Sequence, residues 1–297
     1  MVPAVPAPPA GRVVLSPRLA AVAALVPAGG VVADIGTDHG QLPAFLVQSG
    51  RVARAVGVDD KAAPLAVAQG LGATLGLGAA LTYQRGWGCA ELHGIDTVTV
   101  AGMGGPLIAR IVAGARAAGA RQLVLQPNIG DADLRAWLDE NGWTLTVEAL
   151  VTDRGRRFVI LAAVAGPAIG LDTVDRAYGP AHLHRDLAAF AARLDAEEAR
   201  LTEVLARHGG ARAEAAIRDQ LDVVEAARGR LVEEAGSGER GAGSRKPENQ
   251  EGRKAGRKES RKEEAGSRKP ENQEGRKEGK QEGGSRKPEA GESGRQE

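Results

Sequence analysis

The chain has 297 residues, a net charge of +1 and a single cysteine, Cys89, so a disulfide-stapled scaffold is excluded. The charge is split: residues 236–297 hold 17 Lys and Arg against 13 Asp and Glu, which leaves the preceding body at −3 and excludes a broadly basic fold. The last residue among Val, Ile, Leu, Met, Phe, Trp, Tyr and Cys is Val232, so any core lies upstream of the tail. The opening "MVPAVPAPPAGR" is proline-rich, without a basic start or an apolar centre, and residues 1–11 read as a disordered N-terminus rather than a signal peptide. Ser16 followed by Pro17 is a helix start, with Leu19, Val22, Leu25 and Val26 on one face. Leu19 to Ile35 is nearly uncharged, but Pro27, Gly29, Gly30 and Asp34 interrupt it, so no membrane span is expected. Apolar runs at Val31–Ile35, Ala53–Val58, Ala80–Tyr83, Ile95–Val100 and Leu123–Gln126 alternate with helical stretches at Leu42–Ser49, Ala62–Leu75 and Pro106–Ala118. That alternation predicts an α/β fold with a parallel sheet. Asp131 can cap a further helix, and Trp143–Val151 and Arg157–Ala163 then follow as two strands with no helix between them, a hairpin. Beyond Gly166-Pro167, Leu183, Leu187, Phe190, Leu194, Leu201 and Leu205 repeat every seven residues. "RHGGAR" turns the chain, and Ile217, Leu221, Val224 and Leu231 continue the repeat. Residues 12–165 therefore read as the globular domain, 166–235 as a coiled-coil-like helical hairpin, and 236–297 as a disordered tail. In that tail "GSRKPENQEGRK" occurs from Gly243 and again from Gly266.

The loop "ADIGTDHGQLP" after the first strand has the spacing of a nucleotide-binding turn, Gly36-Thr-Asp-His-Gly40, yet places Asp38 where a pyrophosphate needs bare backbone. A carboxylate there repels a pyrophosphate and attracts a ligand that bears an ammonium and a sulfonium. Asp34 ends the first strand, and Asp59 ends the second, where a carboxylate can accept both hydroxyls of a ribose. "AGMGGP" follows the fourth strand and "LQPN" the fifth, the edge at which open α/β sheets bind ligands; Asn128 offers a donor and an acceptor that match an adenine edge. Each loop taken singly is also an ordinary strand-to-helix turn. His182 and His184 stand two apart on an expected helix and do not converge, so no metal site is expected.

The segments "LSPRL", "ADIGTDHGQLP", "VTVAGMGG" and "LVLQPN…LRAWLDENGW", in this order, resemble the bacterial tRNA (adenine(22)-N1)-methyltransferase family from about Leu15 to about Ala163. The resemblance implies a Rossmann-like class I methyltransferase, with a mostly parallel seven-stranded sheet ending in an antiparallel hairpin and a helical C-terminal appendage. It also implies a cytoplasmic, monomeric enzyme that uses S-adenosyl-L-methionine to methylate N1 of an adenine in the D-loop region of tRNA. Matched onto these motifs, the cofactor-binding residues are Arg18, Asp34, Gly36, Asp38, Gly40, Asp59, Trp87, Gly102, Met103 and Gly104, and the catalytic ones are His39, Asn128 and Asp38. The chain departs from the family pattern at Gln41, where an aromatic is usual, at Trp87, where an acid is usual, and at Phe158-Val159, where Tyr-Glu is usual. Trp87 either stacks on the cofactor's adenine or lowers its affinity.

The acidic body leaves tRNA contact to local clusters: Arg51 and Arg54, Arg110 and Arg116, or Arg154, Arg156 and Arg157. The rival readings are a methyltransferase of a small molecule or protein on the same scaffold, a nicotinamide-dependent oxidoreductase, and a noncatalytic RNA-binding relative. The missing central glycine counts against the oxidoreductase.

Overall fold

A computed structural model describes residues 11–207 and 211–242, with side chains through 235; the rest of the proline-rich N-terminus, the centre of the "RHGGAR" turn and the repeat tail from 243 lie outside the described residues. The helix predicted at Ser16-Pro17 is α1 (Pro17–Leu25), whose first turn is capped as the Ser16 hydroxyl accepts the Leu19 N–H at 3.3 Å. There follow β1 (Val31–Ile35), α2 (Gln41–Gln48), β2 (Arg54–Asp59), α3 (Ala62–Thr74), β3 (Leu81–Arg85), β4 (Thr97–Gly104), α4 (Gly105–Val112), β5 (Gln122–Ile129), α5 (Asp131–Glu140), β6 (Trp143–Asp153) and β7 (Arg156–Ala165). The seven strands form one sheet in the order β3-β2-β1-β4-β5-β7-β6; β1 to β5 are mutually parallel, and β7 runs antiparallel to both β5 and β6. The order reverses between β1 and β4, which opens a crevice beyond their carboxyl ends.

Period-two alternation places the core on both faces. Leu123, Leu125, Leu161 and Ala163 pack with α4 and α5 residues such as Ile108 and Leu134, while Val124, Ile160 and Ala162 pack on the other face with Val22 and Leu46. The turn between β6 and β7 is Arg154-Gly155, with φ of 49° and 75°, the left-handed pair that a two-residue hairpin needs. Because β6 runs parallel to β5, this turn and the arginines around it lie at the carboxyl edge of the sheet, the ligand side.

Several predicted boundaries differ, among them the two that flank and end α4. The glycine-rich "AGMGG" is not a free loop: β4 continues through Gly104, paired with β5 but shifted in register at Met103. The helix expected over Pro106–Ala118 ends at Val112, and residues 113–119 are turns, with Gly119 at φ 101°.

The appendage consists of α6 (Thr173–Tyr178), a 3-10 turn at Ala181–Leu183, α7 (Leu187–Arg207) and α8 (Ala211–Ala242), so the last helix runs past residue 235. Phe190, Leu194, Leu201, Ile217 and Val224 form its core. A fully buried ion pair ties it to the sheet domain: Arg135 Nε and Nη2 donate to Glu148 at 2.8 and 2.9 Å, and Arg135 Nη1 reaches the carbonyls of Arg176 and Ala177 at the end of α6.

Candidate active site

The crevice at the β1/β4 switch holds a cavity of about 440 Å³ whose lining includes Arg18, Asp34, Asp38, His39, Asp59 and Met103. The loop after β1 is held by the sheet itself, since the Gly36 and Thr37 N–H groups donate to the Val58 carbonyl at 2.8 and 3.0 Å. Gly36 has φ 71°, and a Cβ there would run into Met103 Cε, so both conformation and space require glycine. Asp38 is left-handed at φ 52°; its N–H donates to Asp59 Oδ2 at 3.0 Å, and the Lys61 N–H donates to Asp59 Oδ1 at 2.9 Å. Each Asp59 oxygen accepts one backbone N–H and keeps a lone pair for a ligand hydroxyl. The Asp38 carboxylate is exposed and lies 2.8 Å from His39 Nδ1.

Asp34 is buried, and burial pushes its carboxyl up to about 6; the Thr99 hydroxyl, donating to Oδ1 at 2.7 Å, works against that shift, and nearby Asp59 adds to it. A cation in this cavity would relieve the penalty. The cavity is thus walled by carboxylates, with apolar surface from Leu19, Leu42, Pro64 and Met103, and fits a ligand that joins a nucleoside to a positively charged chain.

The opposite wall is built around a residue that sequence reasoning passed over. Gln126 is fully buried on β5; its Oε1 accepts the Gly102 N–H at 3.0 Å and a hydrogen bond from Arg18 Nη1, while its Nε2 donates to the Pro127 carbonyl at 2.8 Å. A glutamine inside an apolar strand, which must find partners, was the available signal. Arg18 is thereby fixed between this cavity and Phe158, its guanidinium 5.5 Å from the ring centre. Thr99 was likewise missed.

The expected site residues do not all converge. Arg18, Asp34, Gly36, Asp38, His39, Asp59, Gly102 and Met103 line the cavity. Gly40 and Gly104 instead stand at the starts of α2 and α4. Trp87 is half exposed and lies under Arg110, 5.2 Å from guanidinium to ring centre, and is not among the residues lining the cavity. Asn128 is separated from His39: its Nδ2 donates to the Gly102 carbonyl at 2.6 Å, and it lines a second cavity of about 570 Å³ together with Asp131, Arg157, Phe158, Tyr178 and Arg193. His184 is structural, stacked 3.9 Å from Phe190 and bonded to the Tyr178 carbonyl.

A family model described as a methyltransferase domain matches residues 15–161. That span is similar to a methyltransferase domain and runs from just ahead of α1 into β7. The tRNA (adenine(22)-N(1))-methyltransferase of Bacillus subtilis is 34% identical over 156 residues, 51% of this chain and 66% of that protein. The chain thus spans just under two thirds of the curated relatives it matches. Among solved structures, the Bacillus subtilis m1A22 tRNA methyltransferase TrmK superposes with TM-score 0.65 at 26% identity, covering 73% of this chain and 99% of that one. A candidate tRNA (m1A22) methyltransferase of Streptococcus pneumoniae, Sp1610, solved with S-adenosyl-L-methionine, gives 0.65 at 28% identity, covering 72% and 99%. Both matches are longer than the sheet domain and so extend into the helical appendage. The family resemblance carried by the four motifs is borne out by these relatives.

Proposed function

We propose that the protein methylates N1 of the adenine at position 22 of tRNA with S-adenosyl-L-methionine, acting as a cytoplasmic monomer. The observation that carries this reading is the carboxylate-walled cavity at the β1/β4 switch, in a chain whose relatives bear that activity in their names. Asp59 would take the ribose hydroxyls with its remaining lone pairs, and Asp34 and Asp38 would face the ligand's positive charges. The cofactor supplies an electrophilic methyl group. N1 of an unpaired adenine is neutral and already nucleophilic, so the residues around it need only orient the base and keep water out, and no general base is required. Asn128 lines the second cavity, its Nδ2 donating to the Gly102 carbonyl and its Oδ1 accepting from Gln126 Nε2 at 3.3 Å. Arg154, Arg156 and Arg157, brought to the ligand edge by the hairpin turn, supply positive charge that the body as a whole lacks. Among the described residues no helix is long and apolar enough to cross a membrane.

The test is incubation of the full chain with methyl-labelled S-adenosylmethionine and unmodified bacterial tRNA. Label in the tRNA is the expected result. Cofactor binding without transfer to tRNA would favour another acceptor or a noncatalytic relative, and preference for NAD would overturn the methyltransferase reading.

A further inference from the structure

The two cavities share a wall. Arg18 lines the first and lies over Phe158, which lines the second; Asn128 lines the second and is bonded to Gly102, which lines the first. The last pair between β5 and β7 is Leu125–Leu161, and Asn128 and Phe158 follow it, each three residues further along its own strand. The strands part at that point, and α7 closes the far side through Arg193 and Arg200. The second cavity therefore abuts the place where a methyl group would be handed over, and has an aromatic face, an amide edge and a rim of guanidinium groups.

Resting on the function proposed above, we propose that this second cavity receives the extruded target adenine, with the Phe158 ring as the surface on which the base stacks and Arg156 as the side chain it displaces. Phe158 is half-buried, which fixes the ring, while Arg156 is exposed, its guanidinium 5.4 Å from the ring centre. A base stacked on an aromatic ring is worth more than an exposed cation–π contact, so the exchange favours the base. The released Arg156 is then free to meet the phosphates that flank the flipped nucleotide, while Arg157 Nη1 is held by the Ala192 carbonyl of α7 at 2.7 Å. Arg193 contributes order rather than affinity: it is tied to Asp131 at 2.8 Å and lies 5.4 Å from the Tyr178 ring centre, so the appendage wall of the cavity is preformed.

Phe158→Leu keeps apolar volume and removes the ring, and Phe158→Tyr keeps the ring. The account expects Phe158→Leu to lower kcat/KM for tRNA at least ten-fold with S-adenosylmethionine affinity within two-fold of wild type, and Phe158→Tyr to retain activity within two-fold. Equal methylation by wild type and Phe158→Leu, or loss of cofactor affinity in parallel with activity, would overturn the stacking role while leaving the proposed function in place. Absence of tRNA methylation by the wild-type chain would overturn both. Should Phe158→Leu fail to fold, photocrosslinking decides: tRNA carrying 8-azidoadenine at position 22 is expected to label the wild-type peptide containing Phe158, and labelling confined to other peptides would overturn the inference.

Discussion

Asp34 gives the proposed cofactor cavity a pH dependence whose size follows from its burial. Its carboxyl titrates near 6, whereas an aspartate facing a cation returns towards its ordinary value near ~4. Binding of a positively charged ligand must therefore expel a proton below pH 6, and affinity for S-adenosylmethionine should fall about ten-fold, about 1.4 kcal/mol, between pH 8 and pH 5. Asp34→Asn keeps an acceptor for the Thr99 hydroxyl, removes the charge, and should bind more weakly at pH 8 but with a flatter profile. The same shift has the opposite sign for the free protein. The folded state holds a proton that the unfolded chain releases between about pH 4 and 6, so stability falls as pH rises through that window; at pH 8 ligand-free Asp34→Asn should be more stable by up to about 3 kcal/mol. Calorimetric titration across the pH range and urea unfolding read the two effects. A wild-type affinity that is level from pH 8 to pH 5, or the same slope in Asp34→Asn, would refute the reasoning.

Glu148→Gln strands the Arg135 charge in a fully buried position, and only Asp131, 3.0 Å away, remains to compensate; urea unfolding should show a loss of about 3 kcal/mol, and a loss below about 1 would contradict the ion pair's anchoring role. Gly36→Ala demands a left-handed alanine and a displaced Met103, so melting should show a loss of about 1–3 kcal/mol together with weaker cofactor binding; an unchanged melting temperature would contradict the loop geometry. Asn128→Ala should leave cofactor affinity within about 0.5 kcal/mol while lowering kcat about 10²-fold, and loss of cofactor binding would move Asn128 to the other half of the site.

The strands and their order of appearance were legible because apolar runs such as Val31–Ile35 and Leu123–Gln126 are buried on both faces of the sheet and bounded by glycine or charge. Asp34 and Asp59 stood out as carboxylates in the last two positions of β1 and β2, and the structure places both, with Asp38 from the loop after β1, around one cavity. The glycine-rich segment misled, because glycine marks both turns and bulges, and only the pairing of Met103 with Pro127 across β4 and β5 shows that the strand continues. Asn128 and His39 were expected around one cleft. They line different cavities: Asn128 is bonded to the Gly102 carbonyl and to Gln126, whereas His39 stands in the loop after β1 beside Asp38. Trp87 was expected beside the cofactor because of its place after β3, but its partner Arg110 comes from α4, a tertiary pairing that no local pattern announces.

The central claim is tested most directly by locating the methyl group. After incubation of the full chain with S-adenosylmethionine and an unmodified tRNA transcript, nuclease digestion and mass spectrometry should find N1-methyladenine at position 22. A transcript with guanine at that position should remain unmethylated. Methylation at another nucleotide, or equal methylation of both transcripts, would contradict the account.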